Sequence, residues 1–379
     1  MPTEPTHYCE GQARLELGTG FFRPESRPSR DFGVLLLRWM QAQNPDRVGV
    51  GVLDGMAGCG IRALRYGLEG GATEVLANDA DPERLPLLQA NLAALGLQPP
   101  AVECSARTIE KLLAACLLQE RRFDLVDLDA FGAPTAFLPL ALEAVRFGGI
   151  LYLASTDGRS FTGHDRTAAL RRLGAAVRAQ PCSWELALRL QLGLIARAAW
   201  GLGRGIRPLL SFSEGRTFRC AVQVLRHPAV GEEHLLGMQA YCHHCGSHRG
   251  MALLKIRDLV HCGCGQQAVL SGPLWRGALQ DVEVLQQLQA LEAGTTRPSA
   301  TSASLRLLQR LSGDDGLPPE ASDVADLARQ LGGGPPPLES LLARLRQQGW
   351  CAQASGIALG QFRSNAPWEE VVREGAKAR

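Results

Sequence analysis

The fold is decided by the stretch VLDGMAGCG at residues 52–60. The apolar residues before Asp54 have the composition of a buried strand, and a helical pattern begins near Ile61. Gly58 and Gly60 let the backbone approach a ligand without interference from a side chain. Ala63 stands where the dinucleotide-binding fingerprint has its third glycine, which suits a ligand without a pyrophosphate. This stretch therefore predicts a strand, a ligand loop and a helix.

Strand-like and helix-like patterns alternate from about residue 49 to residue 225. Such alternation with short connections implies a parallel sheet that is covered on both faces. Segments 207–213 and 217–225 flank the turn Glu214-Gly215-Arg216 and predict a closing antiparallel hairpin. The predicted fold class is α/β, a Rossmann-like S-adenosylmethionine-dependent methyltransferase domain. Strands are predicted at 49–54, 75–78, 101–104, 123–127 and 149–154, and helices at 61–68, 82–95, 108–118, 136–145 and 183–200.

Two aspartates accompany the glycine loop. Asp54 ends the strand before the loop, and Asp79 ends the next strand, 19 residues after Gly60. A carboxylate at the second position can hold both ribose hydroxyls of an adenosine group. A tight structural turn would explain the glycines alone, but the two aspartates favour a ligand. We therefore predict S-adenosylmethionine as cofactor, bound by Asp54, Gly58, Gly60 and Asp79.

Residues 226–240 break the alternating pattern and predict a domain boundary. The first domain spans residues 1–228, and a smaller α+β domain spans residues 229–379. Within the second domain we predict a zinc-type segment at 241–265 and a winged-helix-like unit at 302–360. The elements of that unit are helices at 304–311, 322–331 and 338–348 and a strand at 350–354.

The hexapeptide DLDAFG at residues 127–132 follows the fourth predicted strand. Asp129 and the carbonyl of Ala130 can accept hydrogen bonds from an amino group, while Phe131 can stack on the ring that bears it. A nucleobase presents such a group once it has left its helix. Equally, Asp129 could cap a helix and Phe131 could be a core ring. From these six residues alone, both interpretations stay open.

Further motifs lie along nearly the whole chain. They are FFRP at 21–24, SRDF at 29–32, GIRALRY at 60–66, DLDAFG at 127–132, the hairpin at 204–222, GPLWRG at 272–277 and APW at 366–368. Together they resemble the tRNA (guanine-N2)-dimethyltransferase family, which makes N2,N2-dimethylguanosine, typically at position 26 of tRNA.

The resemblance implies a role for the residues of the hexapeptide and the first motif. Asp129 would be the catalytic acceptor, and Phe21 and Phe131 would sandwich the guanine. This chain has Ala130 where the family usually has proline, which keeps the carbonyl but makes the turn less rigid. It also has Arg23 in place of the usual asparagine.

The resemblance also implies cofactor contacts. Arg30 would face the carboxylate of S-adenosylmethionine, Arg62 would contact the same ligand, and Asp79 would hold its ribose. Ser105 and Ala106 stand where the family usually has Asp-Ala beside the adenine. Ala106 keeps a backbone contact, whereas Ser105 lacks the carboxylate.

Four of the 11 cysteines form two pairs, Cys242-x-x-Cys245 and Cys262-x-Cys264. Two such pairs brought together make a tetrahedral zinc site that stabilises a small segment. We predict structural Zn²⁺ bound by all four cysteines. In the alternative set, His261 replaces Cys262, because His261-x-x-Cys264 has the usual spacing.

Composition is that of a globular protein, with 45% hydrophobic and 21% charged residues over 379 positions. The net charge of +2 does not indicate a nucleic-acid binder. However, only three of the 40 basic residues are lysines, and arginine suits phosphates and bases. A GC-rich coding bias also explains the arginines. Without a signal peptide or membrane-length apolar run, we expect a cytoplasmic protein with reduced thiols and no membrane contact.

The sequence therefore predicts an enzyme that methylates guanosine N2, most simply guanosine 26 of tRNA, once or twice. tRNA is the expected partner, and no obligate protein partner is evident. Two alternatives remain. One is an amino-methyltransferase for another base, such as adenine N6 in rRNA or DNA. The other is a non-catalytic tRNA-binding relative.

Overall fold

The protein is described by a computed structural model that covers residues 7–46, 48–96, 101–314 and 316–379. The polar first six residues, which we interpreted as lacking a signal peptide, lie outside these ranges. The described chain begins with an antiparallel hairpin of β1 (His7–Glu10) and β2 (Ala13–Glu16). A long helix, α1 (Arg27–Gln43), follows, and its apolar residues from Phe32 to Leu37 are buried. Neither the hairpin nor α1 was predicted from the sequence.

A seven-stranded sheet in the order β5-β4-β3-β6-β7-β9-β8 forms the centre of the molecule. Strands β3 to β7 are parallel, whereas β9 runs antiparallel to both β7 and β8. The parallel sheet and its closing hairpin confirm the predicted fold class. The strands are β3 (Gly51–Asp54), β4 (Glu74–Asp79), β5 (Val102–Ala106), β6 (Phe123–Ala130), β7 (Val145–Ser155), β8 (Gly205–Glu214) and β9 (Thr217–Leu225).

Successive residues of the central strands are buried on both faces. Val52, Leu53, Leu125 and Val126 are all fully inaccessible to solvent. Because neighbouring residues of a strand point to opposite faces, both faces of the sheet must be covered. The helices between the strands are α2 (Ile61–Leu68), α3 (Leu85–Leu92), α4 (Ile109–Leu118), α5 (Leu138–Ala144), α6 (Gly158–Phe161), α7 (Arg166–Leu173) and α8 (Ser183–Gly201).

Most elements of this domain begin and end within a few residues of their predicted bounds. The consequential difference is in β6, which continues to Ala130 instead of ending at residue 127. Its register with β7 runs through Asp129 opposite Ala154 and Ala130 opposite Ser155. Asp129 is therefore a strand residue and not a helix cap.

A second, three-stranded sheet in the order β11-β10-β12 carries the cysteine segment. Its strand β12 packs against α8 of the central domain. The next two helices pack together and against α1, and their leucines join the large core. These elements are β10 (Leu236–Tyr241), β11 (His248–Ala252), β12 (Val269–Trp275), α9 (Val282–Ala293) and α10 (Ser302–Leu311).

The last part of the chain has a small core of its own, centred on Leu327, Leu341, Leu345 and Phe362. Helix α10, which the sequence grouped with this unit, packs instead on α9 and α1. An amphipathic pattern predicts a helix but not its partner. The division at residues 228 and 229 stays a prediction. The elements are β13 (Ser322–Asp323), α11 (Val324–Leu331), α12 (Leu338–Gln347), β14 (Ala352–Ala354), β15 (Gln361–Ser364) and α13 (Trp368–Lys377).

Candidate active site

A cavity of about 650 Å³ lies at the carboxyl ends of the parallel strands, where open α/β sheets bind ligands. The predicted site residues that line it are Phe21, Arg30, Gly58, Arg62, Asp79, Asp129 and Phe131. Four others, Asp54, Gly60, Ser105 and Ala106, are not among the residues that line it.

The glycine loop joins β3 to α2 beneath the cavity. Gly58 and Gly60 both have positive φ angles, of 56° and 85°, which other residues rarely adopt. A Cβ atom at Gly60 would approach Cδ1 of Leu88 to 2.7 Å, whereas a Cβ atom at Gly58 would meet no protein atom within 4 Å. The backbone N–H of Gly58 donates to Oδ2 of Asp79 at 2.9 Å. This hydrogen bond connects the glycine loop to Asp79 at the cavity wall.

Asp54 supports the loop from below. Its Oδ2 accepts the backbone N–H of Ala63 in the first turn of α2, at 3.1 Å. Burial raises the pKa of Asp54 to about 8, and nearby Asp127 adds to the shift. In this structure, Asp54 holds the start of α2 and does not face the cavity, so its predicted contact with the cofactor stays a prediction.

Ser105 and Ala106 end β5 beside the cavity. The hydroxyl of Ser105 donates to Oδ1 of Asn78 at 2.6 Å, and the amide of Asn78 donates to the carbonyls of Gly55 and Arg107. Arg107 lines the cavity directly. Ser105 thus bonds Asn78, whose side chain holds the loop after β5, and the predicted contact of position 105 with the cofactor stays a prediction.

Arg30 lies at the cavity wall with most of its hydrogen bonds already made. Its guanidinium forms two hydrogen bonds with Glu10, of 2.7 and 2.6 Å, and also donates to the carbonyls of Arg23 and Pro24. These four bonds occupy all but one of its five N–H groups. Glu10 thus orients Arg30, and one donor remains for the predicted ligand carboxylate.

Asp129 is held by two buried arginines. Arg219 places Nη2 2.8 Å from Oδ1, and Arg62 places Nη2 3.2 Å from Oδ2. Burial raises the pKa of Asp129, but Arg219 and Arg62 outweigh it, so the pKa lies below its ordinary value. Asp129 is therefore ionised at neutral pH and accepts hydrogen bonds.

The same arginines also bind Asp127, which is fully buried two residues earlier in β6. Its Oδ1 lies 3.2 Å from Arg219, and its Oδ2 accepts from the hydroxyl of Tyr66 at 2.6 Å. The Arg219 guanidinium lies over the ring of Tyr152, 4.7 Å from its centroid. Two carboxylates and two guanidiniums thus form one network at the wall of the cavity, and only Asp127 lies behind the lining.

Sequence reasoning missed Arg219, and it also missed Glu214, which lines the cavity from the end of β8. The hairpin that carries both was predicted, but not the direction of its polar side chains. One signal was present: Arg219 interrupts the apolar strand FRCAV at residues 218–222. Arginine is rarely buried without a partner, so this position indicated a buried carboxylate nearby.

Phe21 and Phe131 lie together at the mouth of the cavity. Their side chains are 69% and 78% exposed, so Phe131 is not a core ring. The ring centroids are 6.2 Å apart at an interplanar angle of 66°. A flat base between parallel rings needs roughly 7 Å, twice the ordinary contact distance of about 3.5 Å. The two rings are therefore not placed to stack on both faces of a base in this conformation, and at least one ring has to rotate to become parallel to the other.

The loop after β6 is fixed by hydroxyl groups of the next strand end. The Thr156 hydroxyl accepts the N–H of Gly132 at 2.8 Å and donates to the carbonyl of Ala130 at 3.3 Å. These bonds hold the turn that proline would otherwise make rigid. Asp157, the following residue, caps α6 and pairs with Arg172 at 2.9 Å, which gives it a turn role.

The four predicted cysteine ligands converge in the second sheet. The sulfur atoms of Cys242, Cys245, Cys262 and Cys264 all lie within 4.8 Å of one another. Two pairs are 3.6 and 3.4 Å apart, close to the roughly 3.8 Å that tetrahedral Zn–S bonds of about 2.3 Å produce. His261 instead bonds the exposed Asp258 at 2.7 Å. The geometry fits zinc and favours four cysteines over the mixed set.

No helix within the described ranges combines the length and the apolar character needed to cross a membrane.

Comparison with known proteins gives one family. The family model described as N2,N2-dimethylguanosine tRNA methyltransferase matches residues 14–374. A tRNA (guanine(26)-N(2))-dimethyltransferase of Methanoregula boonei is 32% identical over 368 residues, covering 96% of this chain and 92% of the relative. The enzyme of the same name from Thermococcus kodakarensis is 31% identical over 363 residues, covering 93% and 92%.

A solved structure has the same fold. It is Trm1 from Pyrococcus horikoshii in complex with S-adenosyl-L-methionine, with a TM-score of 0.84 and 24% sequence identity. The match covers 97% of this chain and 99% of that chain. The predicted combination of a Rossmann-like domain and a C-terminal α+β part is thereby confirmed.

Proposed function

The chain belongs to the N2,N2-dimethylguanosine tRNA methyltransferase family, and we propose that it transfers methyl groups from S-adenosylmethionine to N2 of guanosine 26 in tRNA. The relatives that carry this activity align over nearly the whole chain. The product is N2-methylguanosine after one transfer and N2,N2-dimethylguanosine after two.

One observation carries the proposal. An ionised carboxylate, Asp129, lies in the same cavity as the glycine loop, and the exposed aromatic ring of Phe131 follows two residues later. The loop and Asp79 suit the nucleoside part of S-adenosylmethionine, which supplies an electrophilic methyl group. Apolar Met56, Ile109 and Phe137 line the rest of that wall.

Guanine N2 needs help to react because its lone pair is delocalised into the ring. Asp129 accepts one N–H of the amino group, and the Ala130 carbonyl accepts the other, so that the lone pair points out of the ring plane. That carbonyl already accepts from Thr156, but it has two lone pairs and can accept twice. The lowered pKa of Asp129 supports a role as acceptor and not as a store for a proton.

Phe21 and Phe131 would enclose the base once it has left the tRNA helix. Stacking on such aromatic platforms stabilises a base by roughly 1–3 kcal/mol. Both rings are exposed at the cavity mouth, and their contact with one another is edge to face. The base would replace that contact.

The C-terminal part of the chain and the cysteine cluster have proposed roles outside the catalytic site. We propose that residues 229–379 hold the tRNA and that four cysteines bind structural Zn²⁺, which keeps the second sheet folded. We also propose a cytoplasmic site of action, where the seven cysteines outside the zinc cluster, none of which forms a disulfide in the structure, stay reduced.

The test is to incubate the full-length protein with labelled S-adenosylmethionine and unmodified tRNA, and to digest the product to nucleosides. Labelled N2-methylguanosine and N2,N2-dimethylguanosine support the proposal, and a tRNA with adenosine at position 26 is the matched control. Labelled methyladenosine would identify another base as the target. No transfer in the presence of bound cofactor would make the protein a non-catalytic relative.

A further inference from the structure

A second carboxylate, Glu214, faces the same cavity as Asp129. It lies at the end of β8 opposite Thr217 of β9, and both residues line the cavity. Its Oε1 accepts the backbone N–H of Ser29 at 3.0 Å. Ser29 is the third residue of α1, whose first N–H groups have no partner within the helix.

The two carboxylates have different partners. Arg62 and Arg219 form their ion pairs with Asp127 and Asp129, and in the described part of the chain neither forms one with Glu214. The groups that interact electrostatically with Glu214 include Arg219 of β9, Arg62 of α2, Asp129 of β6 and Tyr152 of β7, and the Ser29 N–H of α1 donates to it. Glu214 thus interacts electrostatically with the two arginines but forms no ion pair with either of them in the described part of the chain.

This difference separates the proton affinities of the two groups. Burial raises the pKa of Glu214 above its ordinary value, and Arg219 and Arg62 offset only part of that rise. The pKa of Asp129 is lowered by the same two arginines. Two neighbouring carboxyl groups with opposite shifts are typical of sites in which one holds charge and the other moves a proton.

We propose that Glu214 is the proton acceptor of the methyl transfer, taking the proton that N2 of the guanine loses. The inference rests on the proposed function and adds a residue to it. Asp129 and the Ala130 carbonyl orient the two N–H bonds before transfer. Once N2 is methylated and charged, the N–H on the side of the Ala130 carbonyl, which cannot hold a proton, passes its proton to Glu214.

The N2 lone pair forms a bond to the methyl carbon, the carbon–sulfur bond breaks, and its electron pair stays on sulfur as a neutral thioether. N2 then carries a positive charge and one hydrogen too many. The Glu214 carboxylate takes that proton, becomes a neutral carboxylic acid, and releases the proton to water before the next turnover.

Glu214 also has a purely structural use, since it caps α1 through Ser29. Two substitutions separate the uses. Glu214→Gln keeps an oxygen that accepts the Ser29 N–H but cannot take a proton. Glu214→Ala removes both functions. Glu339→Gln, on the exposed side of α12, is the matched control for loss of a carboxylate.

The experiment measures kcat against pH for the wild type and the three variants, with tRNA and cofactor saturating. In the wild type, kcat should rise with pH as Glu214 ionises, because only the carboxylate accepts a proton. Glu214→Gln should lower kcat on the order of 10²-fold or more, as for other positioned bases, and should flatten this acid limb. Cofactor affinity by calorimetry and melting temperature should stay at wild-type values.

A second measurement does not depend on turnover. Infrared difference spectra of the resting protein should show a carboxyl group that titrates above the ordinary glutamate range in addition to Asp54. Glu214→Gln should lack this signal and keep that of Asp54. If Glu214→Gln keeps the wild-type kcat and acid limb while Glu214→Ala loses stability, Glu214 is only a cap and the inference is wrong. If the wild type itself methylates no tRNA guanosine, the proposed function fails instead.

Discussion

The guanidinium of Arg219 binds Asp129 at 2.8 Å and is itself only 1% exposed. A residue of β9 thus holds the carboxylate at the end of β6, with β7 between the two strands. The antiparallel hairpin therefore contributes directly to the site, because it delivers a positive charge beneath the predicted catalytic acceptor. The same hairpin carries Glu214 at the cavity wall.

Replacing Asp129 should abolish most methyl transfer. Asp129→Asn keeps the shape but loses the negative charge that accepts the N2 hydrogen bond, so we expect kcat to fall by about 10²–10⁴-fold. Cofactor affinity, measured by calorimetry, should change little. Asp46→Asn, an exposed position away from the site, is the control. Full activity of Asp129→Asn would remove Asp129 from the mechanism.

Arg219→Met should destabilise the protein at neutral pH. Breaking a buried ion pair from one side typically costs about 3–5 kcal/mol of unfolding free energy. Because the folded pKa of Asp129 is lowered, its stabilising contribution exists above the unfolded pKa of about 3.9 and disappears as pH falls through the folded value. Urea midpoints should therefore differ most at pH 7 and converge only as the pH falls below about 4. The urea midpoint of Arg219→Lys should lie between those of the wild type and Arg219→Met. A difference in midpoint that does not change with pH would contradict this account.

Asp54 should have the opposite pH dependence. Its folded pKa of about 8 lies above the unfolded value, so its contribution is fully present below about pH 3.9 and is lost as pH rises through 8. Asp54→Asn keeps an acceptor for the Ala63 N–H and does not titrate. The wild type should therefore lose stability relative to Asp54→Asn between pH 5 and pH 8 in urea melts. Parallel curves over that range would show that Asp54 is already ionised.

Phe21→Ala and Phe131→Ala should each weaken recognition of the flipped base. A stacking loss of roughly 1–3 kcal/mol corresponds to a decrease of about 5–150-fold in kcat/KM for tRNA. Phe131→Tyr retains the ring and should retain most activity. Leu118→Ala removes an equally exposed apolar side chain, 86% accessible at the end of α4, and should have no effect. An unchanged kcat/KM in both alanine variants would exclude the aromatic sandwich.

Purified protein should contain one equivalent of zinc by metal analysis. Cys242→Ser should bind no zinc. It should also weaken the packing of α13, because Trp368, the first residue of that helix, donates its indole N–H to the carbonyl of Cys245. Limited proteolysis of residues 241–265 should then become faster than in the wild type. Cys351 is an exposed cysteine outside the cluster, so Cys351→Ser should keep both the bound zinc and the resistance to proteolysis. Zinc well below one equivalent in the wild type would reject the site.

The sequence alone was sufficient for what depends on local pattern. The VLDGMAGCG stretch predicted the first strand, the loop and the start of α2, because positive φ angles at Gly58 and Gly60 are a local requirement. Alternating patterns predicted the parallel strands and the closing hairpin. The spacing of Cys242, Cys245, Cys262 and Cys264 indicated a metal site, and the motifs indicated the family.

Only the tertiary structure decided what depends on distant contacts. No local pattern could show that Arg219 meets Asp129, 90 positions apart in sequence, or that Glu10 occupies most of the guanidinium of Arg30. The hexapeptide allowed either a helix cap or a site. The register of β6 with β7 and the exposure of Phe131 excluded the cap and the core ring. Charge and burial at a site come from residues far apart in the chain, so folding has to bring them together before their chemistry is defined.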